Sequence, residues 1–248
     1  AVLHSNGRTF TLSGALTVTQ GTFNLIGTPV NAGGGMLNSA YVQCEGASTV
    51  NQLSNSGDLR IGGGSTFGHA TLIATLTNSG MVRAESFGGG YDSKFQGLLT
   101  NLNGGHVQFK ATGGGNRHVS GTLTNGGTVS SEAVGVYITG VFNNSGSVSL
   151  GGFTQLYGAA NQLNQSAGSI SVADVGALDL AGTTVTLLHG SLSDRIYLRN
   201  GSATMLPGST VTGLLRVRGG SSLSGRINSG FTVRGEGIGS VGNANLVL

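Results

Sequence analysis

Tryptophan is missing from this chain, proline occurs only at 29 and 207, and Cys44 is a lone cysteine. One cysteine allows no intrachain disulfide and cannot complete a thiolate zinc site. Two prolines, with no three-residue glycine period, exclude a collagen helix. Charged side chains make up 8 % of the residues, far below the ~25 % of ordinary soluble domains. Twelve Lys and Arg against nine acids, a net charge of +3, is not the footprint of a nucleic-acid binder. No apolar run approaches the ~18 residues of a membrane-spanning helix. The five histidines, at 4, 69, 106, 118 and 189, have no His-x-x-x-His spacing. No Gly-x-Ser-x-Gly elbow leads into a long helical stretch. Acids do not recur at corners as calcium-binding repeats require. No catalytic residue, metal or cofactor is therefore expected.

What is abundant is glycine, 47 residues, alongside a 38 % hydrophobic share. The apolar residues alternate with Ser and Thr, so the chain has surface to bury and is not a disordered linker. The organising unit is Leu76-Thr77-Asn78-Ser79-Gly80-Met81-Val82. It recurs as 53–59, 123–129 and, with Phe142 leading, 142–148. Copies with small insertions begin at Leu99 and Leu163. The central amide falls at Asn55, Asn78, Asn101, Asn125 and Asn144, then at Gln165. A period of about twenty to twenty-four residues, with Gly and Asn at the corners, marks a stacked solenoid.

Aligning the copies on Leu59, Val82, Val107, Val129, Val148 and Ile170 places Ile61, Ala84, Phe109, Ser131, Leu150 and Val172 two residues further on. Both sets should point inward, one coil on the next. Arg60, Arg83, Gln108, Ser130, Ser149 and Ser171 lie between them and should face water. The register predicts an outward ladder of alternating charge, Glu85–Lys110–Glu132, on coils about 4.8 Å apart. The asparagines Asn55, Asn78, Asn101, Asn125 and Asn144 should form an amide ladder and stabilise their corners. Gly triplets at 33–35, 62–64, 88–90 and 113–115 read as mobile corners or protruding loops. Residues 173–248 keep the strand texture but lose this phase.

The reading is all-β: a parallel β-helix of about eleven coils, roughly 50 Å long. It is a single solenoid over 1–248, clearest over 53–172. Ala1 is not a start methionine and 245–248 reads as mid-strand, so a piece of a longer chain is expected.

Candidate contact residues are few. Arg216 and Arg218, two apart on one strand, share a face in an arginine-rich last quarter and could meet glycans or an anionic surface. Tyr91 and Asp92, followed by Lys94, flank a Gly triplet and offer a loop for sugar contact. Asp174 and Asp179 fall on opposite faces of an unbroken strand, so they do not pair for hydrolysis.

The run Leu-Thr-Asn-Ser-Gly-x-Val, best carried by 53–172, resembles the repeats of secreted bacterial β-helix proteins of the filamentous-haemagglutinin type and of autotransporter passenger domains. Leu178-Asp179-Leu180-Ala181-Gly182-Thr183-Thr184-Val185 and 235–239 are similar in texture. The resemblance implies a right-handed β-helix, export to the bacterial cell surface, and adhesive or scaffolding work without catalysis. Partners would be host or environmental glycans or surface proteins, with end-to-end or lateral self-association possible through open strand edges. The alternative is a polysaccharide-binding or polysaccharide-degrading β-helix: a lyase, a hydrolase or a tailspike-like depolymerase. A passive spacer carrying a binding domain elsewhere is the third reading.

Overall fold

A computed structural model describes residues 2–4, 8–157 and 160–236. The strand ending expected at 245–248, and residues 237–239 of the late repeat, lie outside them. Among the described residues there are 28 strands and no helix, and every strand pairing is parallel. The strands stack as a β-solenoid of about eleven turns.

Three parallel ladders run the length of the stack. The first contains Asp58–Gly63, Met81–Ser86, His106–Phe109, Thr128–Ser131 and Ser147–Leu150. The other two share long strands, Ala70–Asn78, Ser93–Asn101, Arg117–Asn125 and Val136–Asn144. Val136–Asn144 shows that these strands serve two ladders. Its first part pairs with Phe153–Tyr157 and its last part with Gln162–Gln165. Gly97, Gly121 and Gly140 sit within these long strands at φ of 127°, 124° and 120°. A Cβ on Gly121 would lie 2.2 Å from the Gly97 carbonyl oxygen, and one on Gly140 2.0 Å from that of Gly121. Glycine is required there twice over, by dihedral and by the closeness of the coil before.

The inward columns align as the repeat predicts. Leu59, Val82, Val107, Val129, Val148 and Ile170 are in register and buried. The second column follows two residues on, with Val172 only half-buried at its end. A third column, Leu53, Leu76, Leu99, Leu123, Phe142 and Leu163, runs up another ladder. Each such side chain contributes about 1.5–3 kcal/mol relative to exposure. Cys44 sits in this core, and burial pushes its thiol up to about 12.

The amide ladder forms and is longer than the repeat indicates. Asn38 Nδ2 donates to Asn55 Oδ1 at 2.6 Å, Asn55 to Asn78 at 2.7 Å, and Asn78 to Asn101 at 2.7 Å. Asn101 donates to Asn125 and Asn125 to Asn144, both at 2.8 Å, and Asn144 to Gln165 Oε1 at 2.9 Å. All are buried. Their Nδ2 groups also reach corner carbonyls, such as Gly80 from Asn78 at 3.0 Å. Asn38 belongs because Met36-Leu37-Asn38-Ser39-Ala40-Tyr41-Val42 is a further copy, with Ala40 in the glycine slot.

Three expectations need correction. Glu85 is not part of an outward charge ladder. It is buried, and its Oε1 lies 3.2 Å from Arg60 Nε in an ionic contact without hydrogen-bond alignment. Only the Lys110–Glu132 step forms, at 3.5 Å. The strand continues in register beyond Ala84, pairing Glu85 with Gly62, and this places the carboxylate beside Arg60.

The Gly triplets are not uniformly loose. Gly62 and Gly63 lie within a strand and are buried. The 113–115 triplet is wrapped around Arg117, which is fully buried. Its guanidinium donates to the carbonyls of Lys110, Thr112, Gly114 and Asn116 at 2.9–3.2 Å. A buried cation needs such partners, and here backbone oxygens supply them.

Nor is the phase lost after 173. Leu178 and Leu180 sit over Thr154 and Leu156, and Ile196 and Leu198 follow in the next coil. The corners change length while the columns continue. Asp174, for its part, lies in an exposed turn ahead of the strand Ala177–Ala181 that holds Asp179.

Candidate binding face

The ladder that begins each long strand presents one outward column of unusual composition. In register, coil after coil, it runs Thr71, Lys94, His118, Tyr137, Gln155, Asp179, Tyr197 and Arg216. Beside it lie Ser120 and Thr139, then Tyr157, Ala181, Arg199 and Arg218. The two candidate contacts, Tyr91–Asp92 and Arg216–Arg218, are more than a hundred residues apart in sequence. They border the same strip.

A hollow of about 360 Å³ opens over the earlier part of it, lined chiefly by His69, Asp92, Lys94, His118, Tyr137 and Tyr157. This is at the small end of the ~300–1,000 Å³ of ligand pockets. Asp92 organises its rim. Its Oδ1 accepts the Asn116 N–H at 2.7 Å, and its Oδ2 lies 3.6 Å from both His69 Nδ1 and His118 Nε2. The Asp92 N–H donates to His69 Nδ1 at 3.0 Å, which places the proton of a neutral His69 on Nε2. Burial lowers the His118 pKa, and Asp92 partly opposes the shift. Tyr91 packs edge-on against His69 at 5.7 Å and backs it.

The aromatic rings form a continuous set. His118 and Tyr137 are stacked, with centroids 5.3 Å apart and planes 19° from parallel. Tyr157 meets Tyr137 at 6.1 Å and 87°, and is 42 % exposed. Phe153, on the same strand as Tyr157, is also exposed and borders a second hollow with Asp179, Tyr197, Arg199 and Arg218.

At that end three arginines are committed to acids. Arg199 reaches Asp179 at 2.6 Å. Arg216 holds Asp194 through Nε and Nη2 at 2.5 and 2.6 Å, and Glu236 through Nη1. Arg218 holds Glu236 at 2.6 Å and lies over the Tyr197 ring at 4.1 Å. These hydrogen bonds keep the Asp194 carboxyl at about 2 and lower that of Glu236. Arg199, Arg216 and Arg218 are therefore matched by Asp179, Asp194 and Glu236 and do not form a free basic patch.

Asp92 is the one acid lining the first hollow, whereas glycoside hydrolysis uses two carboxyls about 5–9.5 Å apart. Among the described residues, no group of three or more His, Cys, Asp or Glu is placed to hold a metal ion. A larger hollow of about 880 Å³ lies between 204–209 and 225–229, with Arg226 as its charged lining residue. It presents backbone corners and no convergent ring or ion set.

Sequence reasoning named Tyr91, Asp92, Arg216 and Arg218, but not His118, Tyr137 or Tyr157. A signal for two of them exists. Counting seven residues back from Asn78, Asn101, Asn125 and Asn144 yields Thr71, Lys94, His118 and Tyr137. Tyr157 escapes that count because it lies in the adjacent column, two residues beyond Gln155, and because its coil is lengthened before Gln165.

Comparison with protein-family models, curated proteins and solved structures found no match. The fold defines the molecule as a parallel β-solenoid. The strip of rings and paired ions along one side is the feature a function must explain.

Proposed function

We propose that this chain is a rod-like binding protein of the bacterial cell exterior that engages glycans along its aromatic strip. The observation that carries the reading is the in-register run of Lys94, His118 and Tyr137 beside the exposed Tyr157. Rings and planar polar groups on a rigid sheet suit sugars, whose faces are apolar and whose rims are hydroxyls. The parallel ladders hold the strip in fixed register, so binding orders little of the protein. The other faces, rich in Ser and Thr, suit a soluble or hydroxyl-contacting exterior.

A glycan array probed with the whole chain tests this. Saturable binding is expected, with loss of at least tenfold in affinity for the Tyr137→Ala/Tyr157→Ala double variant. No binding to any glycan, or binding indifferent to that variant, favours the spacer reading. Release of reducing ends or unsaturated products during incubation would instead favour a depolymerase.

A further inference from the structure

We infer that the hollow between His69 and Tyr157 takes a carboxylate-bearing sugar unit of an extended polysaccharide, with Lys94 as the partner of the carboxylate and Tyr157 as the platform for a sugar ring. The inference rests on the glycan-binding reading and deepens it by naming the ligand's chemistry.

Lys94 differs from the three arginines paired at the other end of the strip, and, unlike Arg234, which also forms no ion pair among the described residues, it lines the hollow. Arg199, Arg216 and Arg218 each spend their guanidinium on Asp179, Asp194 or Glu236. Lys94 forms no ion pair among the described residues, although it lines the hollow and lies in register with His118. The nearby acid does not claim it. Asp92 is held by the Asn116 N–H and flanked by two imidazoles. A partly shielded ammonium without a partner is a favourable place for an anion. An anionic-surface contact thus fits Lys94 better than Arg216 or Arg218.

The surroundings narrow the anion to one attached to a sugar. The hydroxyls of Ser120 and Thr139 lie 3.0 Å apart at the floor of the hollow and can each exchange hydrogen bonds with ligand hydroxyls. Tyr157 offers an exposed ring on the side away from Lys94. Coils lie about 4.8 Å apart, close to the length of one pyranose unit in an extended chain. A polymer lying along the axis would therefore place successive units over successive coils. The acidic unit would sit over Lys94 and a following one against Tyr157.

Calorimetry on the whole chain tests the assignment with four probes: an oligogalacturonate, its methyl ester, sialyllactose and a neutral cello-oligosaccharide. The oligogalacturonate is expected to bind at least tenfold more tightly than its ester. Lys94→Met should abolish that ratio, while Lys110→Met, whose ammonium serves Glu132, should retain it. Tyr157→Ala should weaken acid and ester alike. A ratio near one for the unmodified chain, or a ratio that survives Lys94→Met, overturns the inference and leaves the glycan reading standing if the neutral probe or the ester binds. Tighter binding of sialyllactose than of the oligouronate would keep the carboxylate contact but overturn the extended polymer. Failure of all four probes, together with an empty glycan array, would remove both readings.

Discussion

Asn78 and Asn101 are joined by an amide hydrogen bond of 2.7 Å inside the stack, although they belong to different coils and lie 23 residues apart. Each is also tied to its own corner, Asn78 to the Gly80 carbonyl and Asn101 to that of Gly105 at 3.1 Å. One side chain therefore sets both the shape of its turn and the register of the next.

Replacing Asn78 with Leu should be costly for that reason. It leaves the buried Asn101 Oδ1 without its donor, whereas the Asn55 amide keeps the Gly57 and Met81 carbonyls and the Gly80 carbonyl keeps the His106 N–H. A buried group left without a partner costs about 1–3 kcal/mol. Ser149→Ala, on an exposed position, should stay within about 0.5 kcal/mol. Denaturant unfolding of the two variants measures the difference. Equal midpoints would show that the ladder is not a source of stability.

Gly121→Ala should destabilise the protein far more than Gly14→Ala. At Gly121 φ is 124° and a Cβ would meet the Gly97 carbonyl oxygen at 2.2 Å. At Gly14 there is open space around the added methyl group and φ lies outside the left-handed region. The backbone at Gly97 or Gly121 must shift, so a loss of several kcal/mol is expected, against about zero at Gly14. Thermal melts of both variants give the comparison.

Aspartate at 107 and at 108 tests which residues face inward. Val107 is buried between Val82 and Val129, whereas Gln108 is half-buried on the outer side between Arg83 and Ser130. An unpaired carboxylate at 107 should cost several kcal/mol. At 108 the neighbouring Arg83 makes the same change nearly neutral. Indistinguishable melting temperatures would overturn the assigned orientation.

Acid should weaken the last coils through Asp194. Its folded carboxyl is held at about 2 by Arg216, below the ordinary 3.8. A depressed carboxyl stabilises the fold fully above its unfolded value. The contribution declines as pH falls from about 3.8 to about 2 and is gone below that. Asp194 is about half exposed, with 54 % of its side chain accessible, so the effect is modest and reduced by salt. The melting temperatures of the unmodified chain and Asp194→Asn should differ at pH 5 and converge near pH 2. A gap independent of pH would exclude this ion pair as the cause.

Much of the fold was legible because each coil repeats the same local rules. Alternation marked the strands, and Asn-Ser-Gly marked the corner that ends one ladder and begins another. Asn38 was harder to see because Ala40 replaces the corner glycine and Met36 the leading leucine. Glu85 was misplaced because an alternating charge pattern suggested neighbours in the next coil, while the actual partner, Arg60, lies one coil earlier. Arg117 is an ordinary polar residue in sequence. Only the fold of 110–116 around its guanidinium accounts for its burial.

The sequence by itself determined that the chain stacks in parallel coils, which aliphatic residues line the interior, and that the asparagines form a ladder. These follow from periods of two and of about twenty-odd residues, both written along the chain. Tertiary structure alone decided that Asp92 and Tyr157 share one hollow with Lys94, His118 and Tyr137, and that Arg216 and Arg218 are already paired. Corner lengths vary from coil to coil, so the residues that share an outer surface are set by how the turns stack and not by a constant spacing.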